Sequence, residues 1–271
     1  MWKALQKHWP EYFCEAALVA LFVLADCLFT VFLKYGGSPF APLVTPSYLR
    51  RLCLGLALGG ATVALVLSPL GRISGAHMNP AITLTFLLLR KIKPFDAAWY
   101  VIGQTAGVVL ALVLLAVTIP KPIMDPAVNY AVSTPGPAGE LAAFAGEFGI
   151  AFVLMFIVLW VNNTPFLARL TPWFAACLVV LFVLVESPLS GATMDPAFAT
   201  VADAFGHVWT GWWLYVASPL LGMPLAAWAY SRTRRSVYCA KLFHYSSHRC
   251  IFNCQFPALL AREAAERGRE L

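Results

Sequence analysis

The eight residues Ser74-Gly75-Ala76-His77-Met78-Asn79-Pro80-Ala81 return as Ser190-Gly191-Ala192-Thr193-Met194-Asp195-Pro196-Ala197. Six of the eight positions are identical, at a constant offset of 116. A repeat of this length in so apolar a chain marks a duplicated membrane unit. Such units place their working site where the two copies meet. Asn79 in one copy is Asp195 in the other, so the halves differ at their most telling position.

Each octapeptide leads into a short apolar segment, from Asn79 to Leu89 and from Asp195 to Phe205. Ten residues of helix cover roughly 15 Å, half a bilayer core. Asn or Asp followed by Pro is a helix start, because the side chain caps and proline lacks only an N–H that would be unpaired anyway. The Ser-Gly-Ala stretch before it suits an extended, close-packed loop. Irregular backbone at membrane depth must be buried in protein or line a cavity. Both segments are therefore expected to enter the membrane and line something.

Six longer apolar stretches, at about 12–33, 52–70, 95–118, 140–161, 172–187 and 209–230, reach the ~20 residues a spanning helix needs. The predicted fold is an all-α membrane protein with six transmembrane helices and two re-entrant half-helices from an inverted repeat. Residues 1–118 form the first repeat, 119–139 an outer connecting loop, 140–231 the second repeat and 232–271 a basic tail. Three spans per repeat is an odd number, which inverts the second copy.

Composition points the same way. Of 271 residues 60% are hydrophobic and only 12% charged, against about 25% charged in soluble domains. The net charge of +6 lies in short loops and the tail, a pattern of membrane orientation and not of a nucleic-acid groove. With the N-terminus inside, the inner segments hold fifteen Lys and Arg residues and the outer loops four (Lys34, Arg50, Arg51 and Lys121), which predicts cytoplasmic termini. The first apolar run is long enough to span and no polar region follows it, so no cleavable signal peptide is expected. Cys14, Cys27, Cys53 and Cys177 read as small apolar residues. No nucleophile–base pair or metal cluster falls in the apolar core, so neither an enzyme nor a cofactor is expected.

The repeat extends further. Gln104, Gly107 and Ala111 echo Pro219, Gly222 and Ala226, offset by 115. Small residues such as Gly107 and Gly222 let helices cross closely. Glu15 and Glu147 place one carboxylate in the first span of each repeat. An intramembrane carboxylate needs a partner, and N–H groups of the adjacent re-entrant loop are the expected ones, making both residues loop braces.

With these residues the chain resembles the major intrinsic proteins, the aquaporins and glycerol facilitators, over about residues 12 to 230. The most specific part is Ile73-Ser-Gly-Ala-His-Met-Asn-Pro-Ala-Ile-Thr-Leu84. Glu15, Gln104, Gly107, Glu147, Pro219 and Gly222 also fall at family positions. The resemblance implies a homotetramer in membrane lipid, one pore per subunit, and passive flow of water or a small neutral solute. It makes Asn79, Pro80 and Ala81, with Asp195, Pro196 and Ala197, the signature loops at the pore midplane. There the positive ends of two half-helices add and oppose cations.

Two positions depart from the family pattern. Asp195 stands where the family usually has Asn, and Phe198 where it has Arg. Asp195 is expected either to cap its helix as Asn would or to leave a carboxylate on the pore, giving a pore leaky to protons or cations. The resemblance places the narrow filter at Gly59, Val183, Ala192 and Phe198, which carry no charge and no side-chain donor. Phe198 lies flat on the wall, plugs the pore or packs between helices. An apolar filter suits glycerol, urea, ammonia, hydrogen peroxide and carbon dioxide. A plugged pore would instead make a non-conducting or gated member with a structural or adhesive role. His77 falls near the cytoplasmic half of the pore, as a neutral residue bonded into the loop or a pH-sensitive one.

The tail is unlike the family. Cys239, His244, His248, Cys250 and Cys254 follow no standard zinc-finger spacing, so no metal is expected there. Arg232 to Val237 reads as a basic stop to the last span, and residues 258–268 as a short amphipathic helix. Asn162-Asn163-Thr164 matches a glycosylation sequon on the predicted cytoplasmic side, where it would go unused.

Overall fold

The computed structural model describes residues 1–244 and 250–267. In chain order its helices are α1 Trp2–Lys34, α2 Ser47–Leu67, α3 Pro69–Ser74, α4 Pro80–Leu88, α5 Pro94–Thr118, α6 Pro120–Ile123, α7 Glu140–Asn162, α8 Thr171–Val185, α9 Pro196–Gly206, α10 Trp212–Arg232 and α11 Phe256–Arg267. No strand occurs among the described residues. Helices satisfy their own backbone hydrogen bonds, which is what hydrocarbon demands. Their outward faces are apolar: Phe29 and Phe32 on α1, Leu110 and Val117 on α5, and Leu221 and Trp228 on α10 are exposed. A soluble bundle would show the reverse.

Five helices are each long and apolar enough to cross a bilayer: α1, α2, α5, α7, and α8 with the turn before it. The sixth, α10, has the same 21 residues as α2 but carries Pro219 and Pro224. Together α1, α2 and α5 repeat as α7, α8 and α10, and the half-helices α4 and α9 fill the corresponding places.

The closest helix pairs are α1 with α5, α7 with α10, and α2 with α8. The first two are equivalent in the repeat, and glycine makes both possible. A Cβ on Gly107 would lie 2.3 Å from Ala16 O, and one on Gly222 would lie 2.7 Å from Phe148 O. In the third seam a Cβ on Gly59 would lie 2.8 Å from Val180 Cγ2 and 3.0 Å from Ala176 O.

Two helix starts differ from the sequence expectation. α1 begins at Trp2 and not near residue 12, and it bends at His8 (φ −125°, ψ 18°), two residues before Pro10. Pro10 cannot donate to the preceding turn, so the helix axis breaks there. His8 Nδ1 meets Asp96 Oδ1 at 2.8 Å, which ties the bend to α5. α2 starts at Ser47, five residues early, so Arg50 and Arg51 are helical. Arg50 donates to Val44 O and Ala41 O, and Arg51 to Leu184 O, so carbonyl oxygens satisfy charges that read as a span boundary.

The start of α1 and the tail segment after α10 lie on one face of the bundle, here the terminal face. The tail returns to it after α10. Tyr238 N donates to Asn163 Oδ1 at 2.7 Å, Leu242 N to Gly75 O at 3.0 Å, and Asn253 N to Lys91 O at 2.8 Å. α11 follows through Arg267, and Gly268 lies outside the described residues.

Candidate functional site

The two octapeptides adopt the same backbone. Gly75, Ala76 and Met78 have φ of 95°, 56° and 49°, and Gly191, Ala192 and Met194 have 107°, 59° and 53°. Alanine and methionine pay a steric cost in this region, so something must hold them. Ser74 Oγ accepts from Ala76 N at 3.0 Å and Ser190 Oγ from Ala192 N at 3.2 Å. Tyr100 donates to Ser74 O and Tyr215 to Ser190 O, at 2.5 and 2.6 Å. Glu15 accepts from Met78 N and from Gln104 Nε2. Glu147 accepts from Thr193 N at 2.7 Å, Met194 N at 2.8 Å and Ser190 Oγ at 2.7 Å. Both carboxylates are fully buried.

These loops deliver two capped helix N-termini to one point. Asn79 Oδ1 accepts from Ala81 N at 2.7 Å, while Asn79 Nδ2 donates to Met194 O at 2.7 Å across the junction. Asp195 Oδ1 accepts from Ala197 N and Phe198 N at 2.8 and 3.2 Å. Pro80 and Pro196 occupy the first turns, and Ala81 and Ala197 are buried beside them. The cross-loop hydrogen bond runs one way, because a carboxylate has no N–H to return to the opposite loop.

Replacing Asp195 with alanine removes the α9 cap and is expected to cost about 1–2 kcal/mol, while asparagine keeps the accepting oxygen and should change stability by a few tenths. Thermal unfolding in detergent measures this. Equal losses from both variants would show that the carboxylate itself, and not the cap, is needed.

From the face opposite the termini, a cavity of about 460 Å³ descends to Met78 and Asp195. Val183, Ala192 and Phe198 line it, with Leu54 and Leu58 from α2. Gly59 does not take the place expected for it, because it is spent on the α2–α8 seam. Phe198 is buried, shares one apolar cluster with Val19 and Val23 of α1 and Ala111 and Leu112 of α5, and also lines the cavity. Asp26, Lys34, Arg50 and Arg51 also border this cavity.

The terminal half of the axis is different. His77 is 1% exposed. Its Nε2 donates to Ala240 O at 3.0 Å, which leaves Nδ1 to accept from Thr83 Oγ1 at 3.1 Å. Phe252 stacks on the imidazole with ring centroids 5.4 Å apart. Ala240, Leu242, Ile251 and Phe252 belong to one apolar cluster with Val66 of α2, Ile82 of α4, Tyr100 of α5, Leu159 of α7, Ala175 of α8 and Tyr230 of α10. The tail thus fills the centre of the helix ring on the terminal side.

Two capped half-helices meeting inside a three-plus-three inverted bundle point to one family, and a profile described as major intrinsic protein matches residues 2–230. The chain belongs to the major intrinsic protein family. It is an integral, multi-pass membrane protein. Among relatives, the aquaporin NIP1-2 of Arabidopsis thaliana is 30% identical over 216 residues, covering 78% of this chain and 74% of that one. The aquaporin NIP1-2 of Oryza sativa subsp. japonica is 32% identical over 241 residues, covering 85% and 76%. Among solved structures, the aquaglyceroporin from Plasmodium falciparum superposes with a TM-score of 0.67 at 15% identity, covering 84% of this chain and 97% of that one, a likeness of fold.

The family match ends at residue 230, so the tail that meets His77 lies beyond it. Sequence reasoning missed that Tyr100 and Tyr215 hold the two loops, although their offset of 115 is that of Gln104 and Pro219. It also missed Glu186, whose Oε1 lies 2.6 Å from Ser190 Oγ, and Asp26 on the cavity wall.

Proposed function

We infer that this protein is a passive channel for water and small neutral solutes of the glycerol, urea, ammonia and hydrogen peroxide class. The observation that carries the reading is the cavity that runs from one face to the paired N-termini of α4 and α9. Asn79, Pro80 and Ala81 with Asp195, Pro196 and Ala197 form the midplane junction, and Glu15 and Glu147 brace it. Val183, Ala192 and Phe198, with Leu54 and Leu58, form a wide apolar approach. The terminal face is cytoplasmic, following the excess of basic residues there. The subunits assemble as homotetramers in the bilayer, each with its own pore.

Neutral cargo fits the electrostatics. Two helix N-termini bring partial positive charge to the midplane. Lys34, Arg50 and Arg51 border the cavity against the two acids Asp26 and Asp195. A cation therefore meets an unfavourable approach in spite of Asp195 and the missing family Arg.

Stopped-flow light scattering on proteoliposomes tests the reading. An impermeant osmolyte reports water flow, and glycerol and urea gradients report solute entry. Re-swelling in glycerol or urea faster than in empty liposomes is expected. Proton-gradient dissipation should match between the native chain and Asp195→Asn. The channel reading fails if folded protein gives no water or solute flux even after Phe252 is removed from the terminal side.

A further inference from the structure

The tail carries a group of side chains that the pore does not use. Cys239, His244, Cys250 and Cys254 each turn one donor atom to a common point, with all four atoms within 4.8 Å of one another. Cys239 Sγ and Cys250 Sγ are 3.6 Å apart, and Cys254 Sγ is 3.2 Å from His244 Nε2. Tetrahedral zinc, with sulfur at about 2.3 Å and nitrogen at about 2.0 Å, sets its ligand atoms about 3.5–3.8 Å apart. The donors are therefore close to the spacing of a closed structural site. The four cysteines in the membrane helices make no such group.

We propose that Cys239, His244, Cys250 and Cys254 bind one zinc ion, and that this ion fastens the tail across the terminal mouth of the bundle.

The donor set and its surroundings fit this metal. Three thiolates and one imidazole are a recognised structural zinc set, and thiolates select zinc over hard cations such as calcium or magnesium. Zinc with three thiolates leaves one net negative charge. Burial lowers the pKa of Lys91 and Lys241, and the nearby cysteine sulfurs oppose that, so thiolates there favour the ammonium forms that would offset the charge. Phe256 N donates to Cys254 Sγ at 3.5 Å, and Phe256 stacks on the His244 ring at 4.1 Å. Such outer contacts orient ligands. Gln255 N donates to Tyr238 O at 2.7 Å, which brings the two ends of the ligand-bearing segment together. The irregular spacing of the ligands hid the site in the sequence. His248 lies outside the described residues.

The mechanical consequence follows from neighbours in the chain. Cys239 precedes Ala240, which accepts from His77, and Cys250 stands two residues before Phe252, which stacks on His77. Tying Cys239 to Cys250 therefore holds both contacts with His77 at once. The hold on the mouth matters for transport only if the channel reading above is right. The metal site does not depend on that reading.

The test uses the full chain, purified under reducing conditions with a tag free of histidine. Elemental analysis should find about one zinc per chain. Cobalt exchanged into the site should show thiolate charge-transfer absorption and the visible bands of a tetrahedral centre. Cys239→Ser and Cys254→Ser should each lower zinc content about tenfold or more, with gel filtration and circular dichroism confirming that the bundle is intact. Less than a tenth of a zinc per chain, both as purified and after zinc addition to folded protein, overturns the site, as does a Cys239–Cys250 disulfide in its place. Chelation of the zinc should then speed hydrogen exchange in peptides covering residues 238–242 and 251–255 about tenfold or more. Unchanged exchange with zinc removed overturns the fastening while leaving the site. Flux measured on the same samples separates the two readings: bound zinc and a releasable tail, with no flux in either state, counts against the channel and not against the metal.

Discussion

Replacing Glu147 with leucine is expected to remove nearly all folded protein. The carboxylate accepts from Thr193 N, Met194 N and Ser190 Oγ in a site with no access to water. Leucine would leave the Thr193 and Met194 N–H groups without acceptors, while Ser190 Oγ keeps Glu186 Oε1. At about 1–3 kcal/mol each, their loss takes up much of the roughly 5–15 kcal/mol that holds a typical domain together. Glutamine is the sharper probe, because it keeps size and one accepting oxygen but turns an NH2 group toward a backbone N–H. A loss of about 2–3 kcal/mol is expected for Glu147→Gln. Glu15 should tolerate the same change better. Its Oε2 has no hydrogen-bond partner, so an amide nitrogen can take that side without opposing a donor. Yield of monodisperse protein and thermal unfolding in detergent measure all three variants. Equal tolerance of glutamine at both positions would mean that the second loop is held by Ser190 and Tyr215 rather than by the carboxylate.

That asymmetry shows where the sequence could be read and where it could not. The repeated octapeptide, the prolines at residues 80 and 196 and the caps at residues 79 and 195 are local features. Local chemistry sets a helix start, so both half-helices were visible in the chain. Gly107 and Gly222 were visible as well, because close helix crossing needs a small residue whatever its partner. The α2 side of the filter was not. One residue along a helix turns the side chain by about 100°, so the step from Gly59 to Leu58 moves from the α8 seam to the cavity wall. Arg50 and Arg51 hid the true start of α2, because the sequence does not say that a folded loop and the end of α8 supply carbonyl oxygens for them. The tail was the least legible part. His77 and Ala240 meet across 163 positions, with no periodicity and no repeat to pair them. Phe252 looks like any apolar residue of a loop until the chain has folded back.

Phe252→Ala is expected to raise solute and water flux about tenfold or more in proteoliposomes. The far half of the axis already holds a cavity down to Asp195, so a barrier is expected on the terminal side, where the tail packs among the helices. Phe252 is 6% exposed, stacks on His77 and meets Tyr100 edge-on at 6.0 Å. Truncating a buried phenylalanine to alanine costs about 3–5 kcal/mol, which here falls on the docking of the tail. A shift of that size moves a two-state equilibrium by two or more powers of ten, enough to turn a mostly docked tail into a mostly released one. The bundle itself should keep its unfolding temperature closely, since the family match ends at residue 230, before the tail. That separates gating from damage: a destabilised bundle would lose flux, whereas a released tail gains it. Flux that is measurable but unchanged in Phe252→Ala, together with fast hydrogen exchange in residues 251–255, would mean that the tail leaves the mouth without opening it. The barrier would then lie with His77 and the loop around it.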